Sequence, residues 1–252
     1  ELDDGRLAVE VFPRTAIDKL TFAGFRAEIW MEDDVNRLNL FDHMAEFYRE
    51  GDDEGAVALV LGAGNVASIG PLDAVHKLFV EGQVCLLKMN PVNDYVGPFV
   101  EEVFSELIEE GFVRTAYGGA DVGEYLCQHA EVDEIHITGS DRTHDIIVFG
   151  PGEEGAQRKA QNQPRTTKRI TSELGNVSPV IIMPGSWTES DLRFHAENVA
   201  SQMTNNGGFN CNAAKLIILH EDWTQKTEFM DMLRSVLASL EQRPAYYPGA
   251  EG

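Results

Sequence analysis

Basic residues are scarce in this chain. Its 252 residues carry 20 Lys and Arg against 42 Asp and Glu, a net charge of −22. Binding to nucleic acid rests on neutralising phosphates, so no nucleic-acid partner is expected. Cysteine is scarcer still. Cys85, Cys127 and Cys211 lie far apart, with no CxxC pair and no Cys/His spacing suited to zinc. That argues against a disulfide framework and a metal site, and fits a reducing, cytoplasmic setting. No run reaches the roughly 18 apolar residues of a membrane span, so no membrane association is expected. The opening, ELDDGRLAVEVF, is acidic where a secretory signal would be basic. It starts with Glu1 rather than Met, which leads us to expect a piece of a longer chain. There is no internal repeat and no low-complexity tract.

What is present suits a globular protein with a sizeable core: 43% of residues are apolar and 25% charged. VALVL (57–61), bounded by glycines, predicts a buried strand. GPLDAVHKLFVEG (70–82) has Leu72, Val75, Leu78 and Phe79 at helical spacing, with Pro71 at its start and Gly82 after its end. QVCLLKM (83–89) predicts a strand, VGPFVEEVFSELIEEG (96–111) a helix closed by Gly111, and FVRTAY (112–117) a strand. VGEYLCQHA (122–130) predicts a helix, and EIHIT (134–138) and VSPVIIM (177–183) two strands. Residues 150–169 are polar and broken by Gly and Pro, which predicts a surface loop. Residues 188–206 predict a helix capped by Thr188 or Ser190, followed by the strand AAKLIILHE and the helix WTQKTEFMDMLRSVLASLEQ. Residues 1–56 are less informative: GRLAVEVFP and FRAEIWM suit strands, and RLNLFDHMAEFYREG suits a helix.

Repeated alternation of strand and helix predicts a mostly parallel sheet with helices on both faces. Ligands of such sheets bind beyond the carboxyl ends of the strands. Those places hold GAGN, KMNP, GGADVG and TGS. The first contains Gly62-x-Gly64-x-x-Ala67, a loose match to a dinucleotide fingerprint that equally describes a Gly-rich strand-to-helix turn. The fingerprint calls for an acid at the end of the second strand, and Lys88 stands there. Ser140, beside backbone N–H groups at a strand end, could meet phosphate oxygens or simply turn the chain. Glu173 in ELGNVSPVII stands just before a strand, a position a structural Glu fills equally well. Cys211 stands in NNGGFNCNAAK, behind two glycines and polar neighbours, where packing, metal ligation and nucleophilic attack are all conceivable.

Taken together these fragments resemble the aldehyde dehydrogenase superfamily over roughly residues 55–222. The family's Glu-Leu-Gly-Gly-Lys-Ser-Pro matches Glu173-Leu174-Gly175-Asn176-Val177-Ser178-Pro179, and its Phe-Thr-Gly-Ser matches Ile137-Thr138-Gly139-Ser140. Its Asn and Gly-x-x-Cys match Asn206, Gly208 and Cys211. Gly119 and Gly123 precede the Thr-Gly-Ser at the family's interval, and Asn65 and Lys88 match the Asn and Lys that end the family's first two strands.

The resemblance implies a Rossmann-like dinucleotide-binding domain over 57–173, followed by the first, incomplete part of an α/β catalytic domain over 174–252. Residues 1–56 would correspond to an interdomain segment that helps build dimers or tetramers of the full-length protein. It implies that Cys211 attacks an aldehyde, that the Asn65 amide and the Cys211 backbone N–H hold the thiohemiacetal oxyanion, and that hydride leaves for a nicotinamide. Glu173 would activate the water that hydrolyses the thioester. By the same resemblance NAD or NADP would meet Lys88 at the ribose, Ser140 at the pyrophosphate, and Gly119 and Gly123 beside the adenine; Thr138, Gly139 and Leu174 complete the implied cofactor set. No metal is implied. Cys85 and Cys127 read as packing residues. Pro91 replaces the Glu that often reaches the ribose hydroxyls, Gly64 replaces a Trp, and the segment from Ser140 to Glu173 is longer than usual. The family's later Glu-x-Phe is not seen, so the piece alone is expected to be inactive. A CoA-acylating relative and a non-catalytic nucleotide-binding fragment are the alternative readings.

Overall fold

The computed structural model describes residues 2–44, 48 and 55–250. The chain divides into two compact units, Glu1–Glu54 and Gly55–Gly252. The first pairs β1 (Ala8–Phe12) antiparallel with β2 (Ala27–Trp30), both inside the expected strands. Between them α1 (Ala16–Thr21) is started by a capping box, in which Thr15 and Asp18 each accept the other's backbone N–H. Of the helix expected over 37–51, one 3-10 turn is present at Leu40–His43, and residues 45–47 and 49–51 lie outside the described residues.

The second unit is built on five parallel strands, β3 (Val57–Leu61), β4 (Val84–Lys88), β5 (Val113–Ala116), β6 (Glu134–Gly139) and β7 (Arg169–Leu174). Their order in the sheet is β5-β4-β3-β6-β7. The chain steps outward from β3 to β5, then returns to place β6 on the other side of β3. Right-handed crossovers then put helices on opposite faces before and after the return. α2 (Ile69–Phe79) and α3 (Gly97–Val103) lie on one face. The helix expected over 96–111 is broken at Phe104, where α4 (Ser105–Glu109) begins. α5 (Ala120–Gln128) and α6 (Asp141–Phe149) cover the other face. Successive residues of β3 show the division. Ala58 packs with Ala74 of α2 and Val60 with Val100 of α3, while Leu59 meets Cys127 of α5 and Ile147 of α6. A strand buried on both faces has no polar alternation, which is why VALVL reads as it does.

Residues 150–169 are not a loop. They hold α7 (Gly152–Ala160) and lead into β7. Acids in the first turn, Glu153 and Glu154, and bases in the last, Arg158 and Lys159, suit the helix dipole and offset the flanking glycines. β7, RITSEL, has a polar carboxyl end, so Glu173 lies within a strand rather than before one; pairing of Thr138 with Glu173 and Gly139 with Leu174 carries the ladder to its end.

Two further strands, β8 (Ser178–Ile182) and β9 (Ala214–Leu219), pair in parallel. α8 (Glu189–Thr204) and α9 (Lys226–Ser239) pack on them through Leu192, Ala196, Val199, Phe229 and Leu233, beside Ile182. Thr188 caps α8 in a capping box with Asp191, a device worth about 1 kcal/mol. No helix among the described residues is long and apolar enough to cross a membrane.

Candidate active site

A cavity of about 700 Å³ lies across the carboxyl ends of β3, β4, β6 and β7, where the strand order reverses between β3 and β6. Cys211, Glu173 and Asn65 all line it. The thiol is delivered by an abrupt end to α8. Asn206, Gly207 and Gly208 follow one another in left-handed backbone, at φ 52°, 63° and 79°. Asn is among the few side chains that tolerate this region, and a Cβ on Gly208 would come within 3.0 Å of Met203 O. The chain therefore reverses before Cys211, which is half-buried.

Glu173 comes from the end of β7, 38 residues away in sequence, and its Oε1 accepts the Cys211 thiol at 3.5 Å. Asn65, in the loop after β3, ties the two sheets together. Its amide donates to Phe209 O at 2.8 Å, and its own carbonyl accepts the Asn206 amide at 2.9 Å. That leaves the second Asn65 amide N–H without an acceptor among the described residues. Tyr246 adds a strap that sequence reading missed. Its hydroxyl lies 2.7 Å from Asn65 O and 3.0 Å from Asn206 Oδ1, while Tyr247 stacks on Phe209 at 5.5 Å. The signal available was the paired Tyr246-Tyr247 after the last helix, with no core of their own to join.

Gly64, where the resemblance calls for Trp, is accounted for by Asn90. A Cβ on Gly64 would lie 2.8 Å from Asn90 Oδ1. Asn90 is held there by donating to Gly62 O at 3.2 Å and accepting Val92 N–H at 3.0 Å.

Along the rest of the cavity stand Lys88, Pro91, Gly119, Gly123, Thr138, Gly139, Ser140 and Leu174. Lys88 ends β4 and is 7% exposed, and its ammonium has no hydrogen bond or ion pair among the described residues. Burial pushes its pKa down; Asp121 and Asp94 pull less strongly the other way. A Cβ on Gly123 would lie 4.0 Å from Lys88 Cε, so a larger side chain there would crowd the space over the lysine stem. Ser140 caps α6, its Oγ accepting Thr143 N–H at 3.1 Å. The Thr138 hydroxyl is turned away, donating to Asp73 Oδ2 at 3.0 Å. Cys127 also lines the cavity, and burial pushes its thiol up to about 11; Cys85, packed beneath α2, is pushed up to about 12. Arg165 and Glu124, which close the cavity between α5 and α6, were not singled out in the sequence. No group of three or more His, Cys, Asp or Glu among the described residues is placed to hold a metal ion.

A doubly wound α/β sheet whose switch-point cavity holds a thiol against a carboxylate, beside a buried lysine, is a Rossmann-like architecture. The sequence model of the aldehyde dehydrogenase family matches residues 41–248, and the chain belongs to that family. Among curated relatives, aldehyde dehydrogenase LUC3 of Fusarium sp is 26% identical over 176 residues, 69% of this chain and 35% of that protein. The 1-pyrroline-5-carboxylate dehydrogenase of Bacillus thuringiensis is 28% identical over 151 residues, 57% of this chain and 26% of its own length. Among solved structures, the gamma-glutamyl-gamma-aminobutyraldehyde dehydrogenase of Burkholderia cenocepacia superposes with a TM-score of 0.52 at 27% identity, covering 72% of this chain and 34% of that one. An NAD-dependent aldehyde dehydrogenase of Sinorhizobium meliloti superposes at 0.56 and 24%, covering 72% and 33%, and shares the fold. The chain thus spans between about a quarter and about a third of the length of these relatives.

Proposed function

We propose that this chain carries the cofactor site and the nucleophile of an NAD(P)-dependent enzyme that oxidises an aldehyde to a carboxylic acid. The observation that carries the reading is the 3.5 Å contact between Cys211 Sγ and Glu173 Oε1 on the floor of the shared cavity. The Cys211 thiolate attacks the carbonyl carbon, forming a C–S bond and sending the π electrons to oxygen. The uncommitted Asn65 N–H and the Cys211 backbone N–H are the donors for that oxyanion. A nicotinamide held in the cavity would supply the hydride acceptor needed for oxidation to the thioester. Glu173 then takes a proton from water; hydroxide adds, the C–S bond breaks, and the thiol is regenerated.

The cavity fits a dinucleotide. Lys88 is a buried cation without a counter-ion and so suits a polar or anionic ligand group, Gly123 keeps the space above it open, and Ser140 stands at the start of α6. With Gly119, Thr138, Gly139 and Leu174 these residues would hold the cofactor. In this reading residues 57–173 form the dinucleotide-binding domain, 174–252 begin the catalytic domain, and 1–56 serve assembly of a dimer or tetramer, in the cytoplasm.

The test is a screen of the full-length gene product against aldehydes with NAD or NADP, with and without CoA. Glu173→Gln should keep a first-turnover burst of reduced cofactor while steady turnover falls by roughly 10²-fold. Steady turnover unchanged by the substitution, or dependent on CoA, would reject water activation by Glu173. Loss of the burst in Cys211→Ser, with retained cofactor binding, is the companion result required of the nucleophile.

A further inference from the structure

The cavity is long, and its two ends differ. Cys211, Glu173 and Asn65 occupy the end at the carboxyl edge of the sheet. From there a slot runs between α5 and α6. Gly123 and Cys127 lie four residues apart on one face of α5, with Gly119 at its N-cap, opposite Ile146 and Ile147 of α6. From Gly119 to Cys127 the helix advances about 12 Å at its usual rise, so the slot leads well away from the reacting groups. Two glycines on one wall leave space beside the aliphatic side chains on the other, so this part of the slot is apolar and open to a flat heteroaromatic ring.

The distal end is closed by a donor and an acceptor side by side. Arg165 belongs to the stretch after α7 that straps the two helices. Its backbone N–H donates to Val148 O at 2.7 Å and its Nε to Ile147 O at 3.0 Å, while Lys168 Nζ reaches His129 O at 2.5 Å. The Arg165 side chain is 19% exposed. Its Nη1 and Nη2 reach a single oxygen, Glu124 Oε1, at 3.4 and 3.5 Å. These are long for hydrogen bonds to a charged group. Glu124 Oε2 accepts nothing from the described residues, and the guanidinium has more N–H groups than these contacts use.

We propose that Arg165 and Glu124 read the edge of an adenine base, Arg165 donating to the ring nitrogen N1 and Glu124 accepting from the exocyclic amine. The inference rests on the dinucleotide reading above and goes beyond it, because it assigns base selection to two residues outside the motifs that carry the family resemblance. Adenine presents an acceptor and a donor adjacent on that edge. Hypoxanthine, with a carbonyl and a ring N–H, presents them in reversed order. An Arg–Glu pair in this order therefore accepts the first and leaves an unpaired acceptor facing Glu124 with the second.

Binding of NAD and of nicotinamide hypoxanthine dinucleotide, which differ only at this edge, is to be compared by titration calorimetry. Wild type should bind the hypoxanthine form about tenfold or more weakly, and Arg165→Gln should weaken NAD similarly and bring the two within about threefold. The wild-type ratio needs no variant, so a folding defect in Arg165→Gln cannot obscure the outcome. Equal binding of the two dinucleotides by wild type overturns base reading by this pair while leaving the dinucleotide site standing. Absence of saturable NAD binding overturns both.

Discussion

Alkylation should distinguish the three cysteines sharply, because iodoacetamide reacts with thiolate and not with thiol. Cys85 is 4% exposed, donates to Ala74 O at 3.5 Å, and titrates at about 12 because burial penalises its charged form. Cys127 is also 4% exposed and titrates at about 11 for the same first reason, with Lys168 and Arg165 pulling less strongly the other way. At pH 8 their thiolate fractions are then about 10⁻⁴ and 10⁻³, whereas a solvent-facing thiol of ordinary acidity is about one quarter ionised. Ionisation alone separates such a thiol from Cys127 by roughly 2 × 10² and from Cys85 by roughly 2 × 10³. Cys211, half-buried at the cavity wall and the most accessible of the three, is expected to take label first. The assay is brief labelling of folded protein at pH 8, digestion and peptide mapping, with urea-denatured protein as the control in which all three react alike. Raising the pH by one unit should speed the two buried sites about tenfold, since both titrate well above it. Label on Cys127 or Cys85 before Cys211 in folded protein would refute both the burial argument and the choice of nucleophile.

Two other predictions concern charge. Lys77, 1% exposed, reaches Glu134 and Glu81, and Arg169 binds the same two carboxylates at 2.7 and 2.6 Å. Lys77→Met leaves buried Glu134 without its nearest cation and should cost about 3–5 kcal/mol in urea unfolding, an unchanged midpoint being the contrary result. Burial pushes the Glu134 and Glu81 carboxyls up, but hydrogen bonds and charge from Lys77, aided by Gln83 and Arg169, outweigh it and hold both below the usual 4.5. Their contribution is thus full above pH 4.5 and drains away as pH falls through the lowered folded values, and Lys77→Met should blunt that acid sensitivity. At the cofactor end, Pro91 offers no carboxylate to repel a 2′-phosphate, so NADP should bind within about tenfold of NAD, roughly 1.4 kcal/mol, and Pro91→Glu should shift preference toward NAD. A hundredfold preference of wild type for NAD would show that another group selects.

Most strands and helices of the second unit were legible because they obey local rules. VALVL is continuous and apolar because β3 is covered on both faces, and Thr188 with Asp191 announces α8 before it begins. The alternation of these elements is enough to require a parallel sheet, and a parallel sheet places its ligands at the carboxyl ends of the strands. Asn65, Lys88 and Ser140 fall at such strand ends in the sequence, whereas Glu173 and Cys211 were singled out by resemblance to the family's motifs.

What the sequence could not express is whatever depends on register between distant segments. β7 hides behind polar residues because its strand character comes from pairing with β6, residue by residue, and not from its own alternation. The stripe of Glu134, His136 and Thr138 on β6 reads as noise in a strand until Asp73 and Lys77 of α2 are laid against it. Tyr246 closing on Asn65, 181 residues away, Asn90 filling the space over Gly64, and Arg165 meeting Glu124 at the end of the slot all require the finished topology. Local chemistry chose the elements and the reactive groups. Which groups face one another was decided by strand order and by the side of the sheet each helix covers, because these set distances that no spacing along the chain encodes.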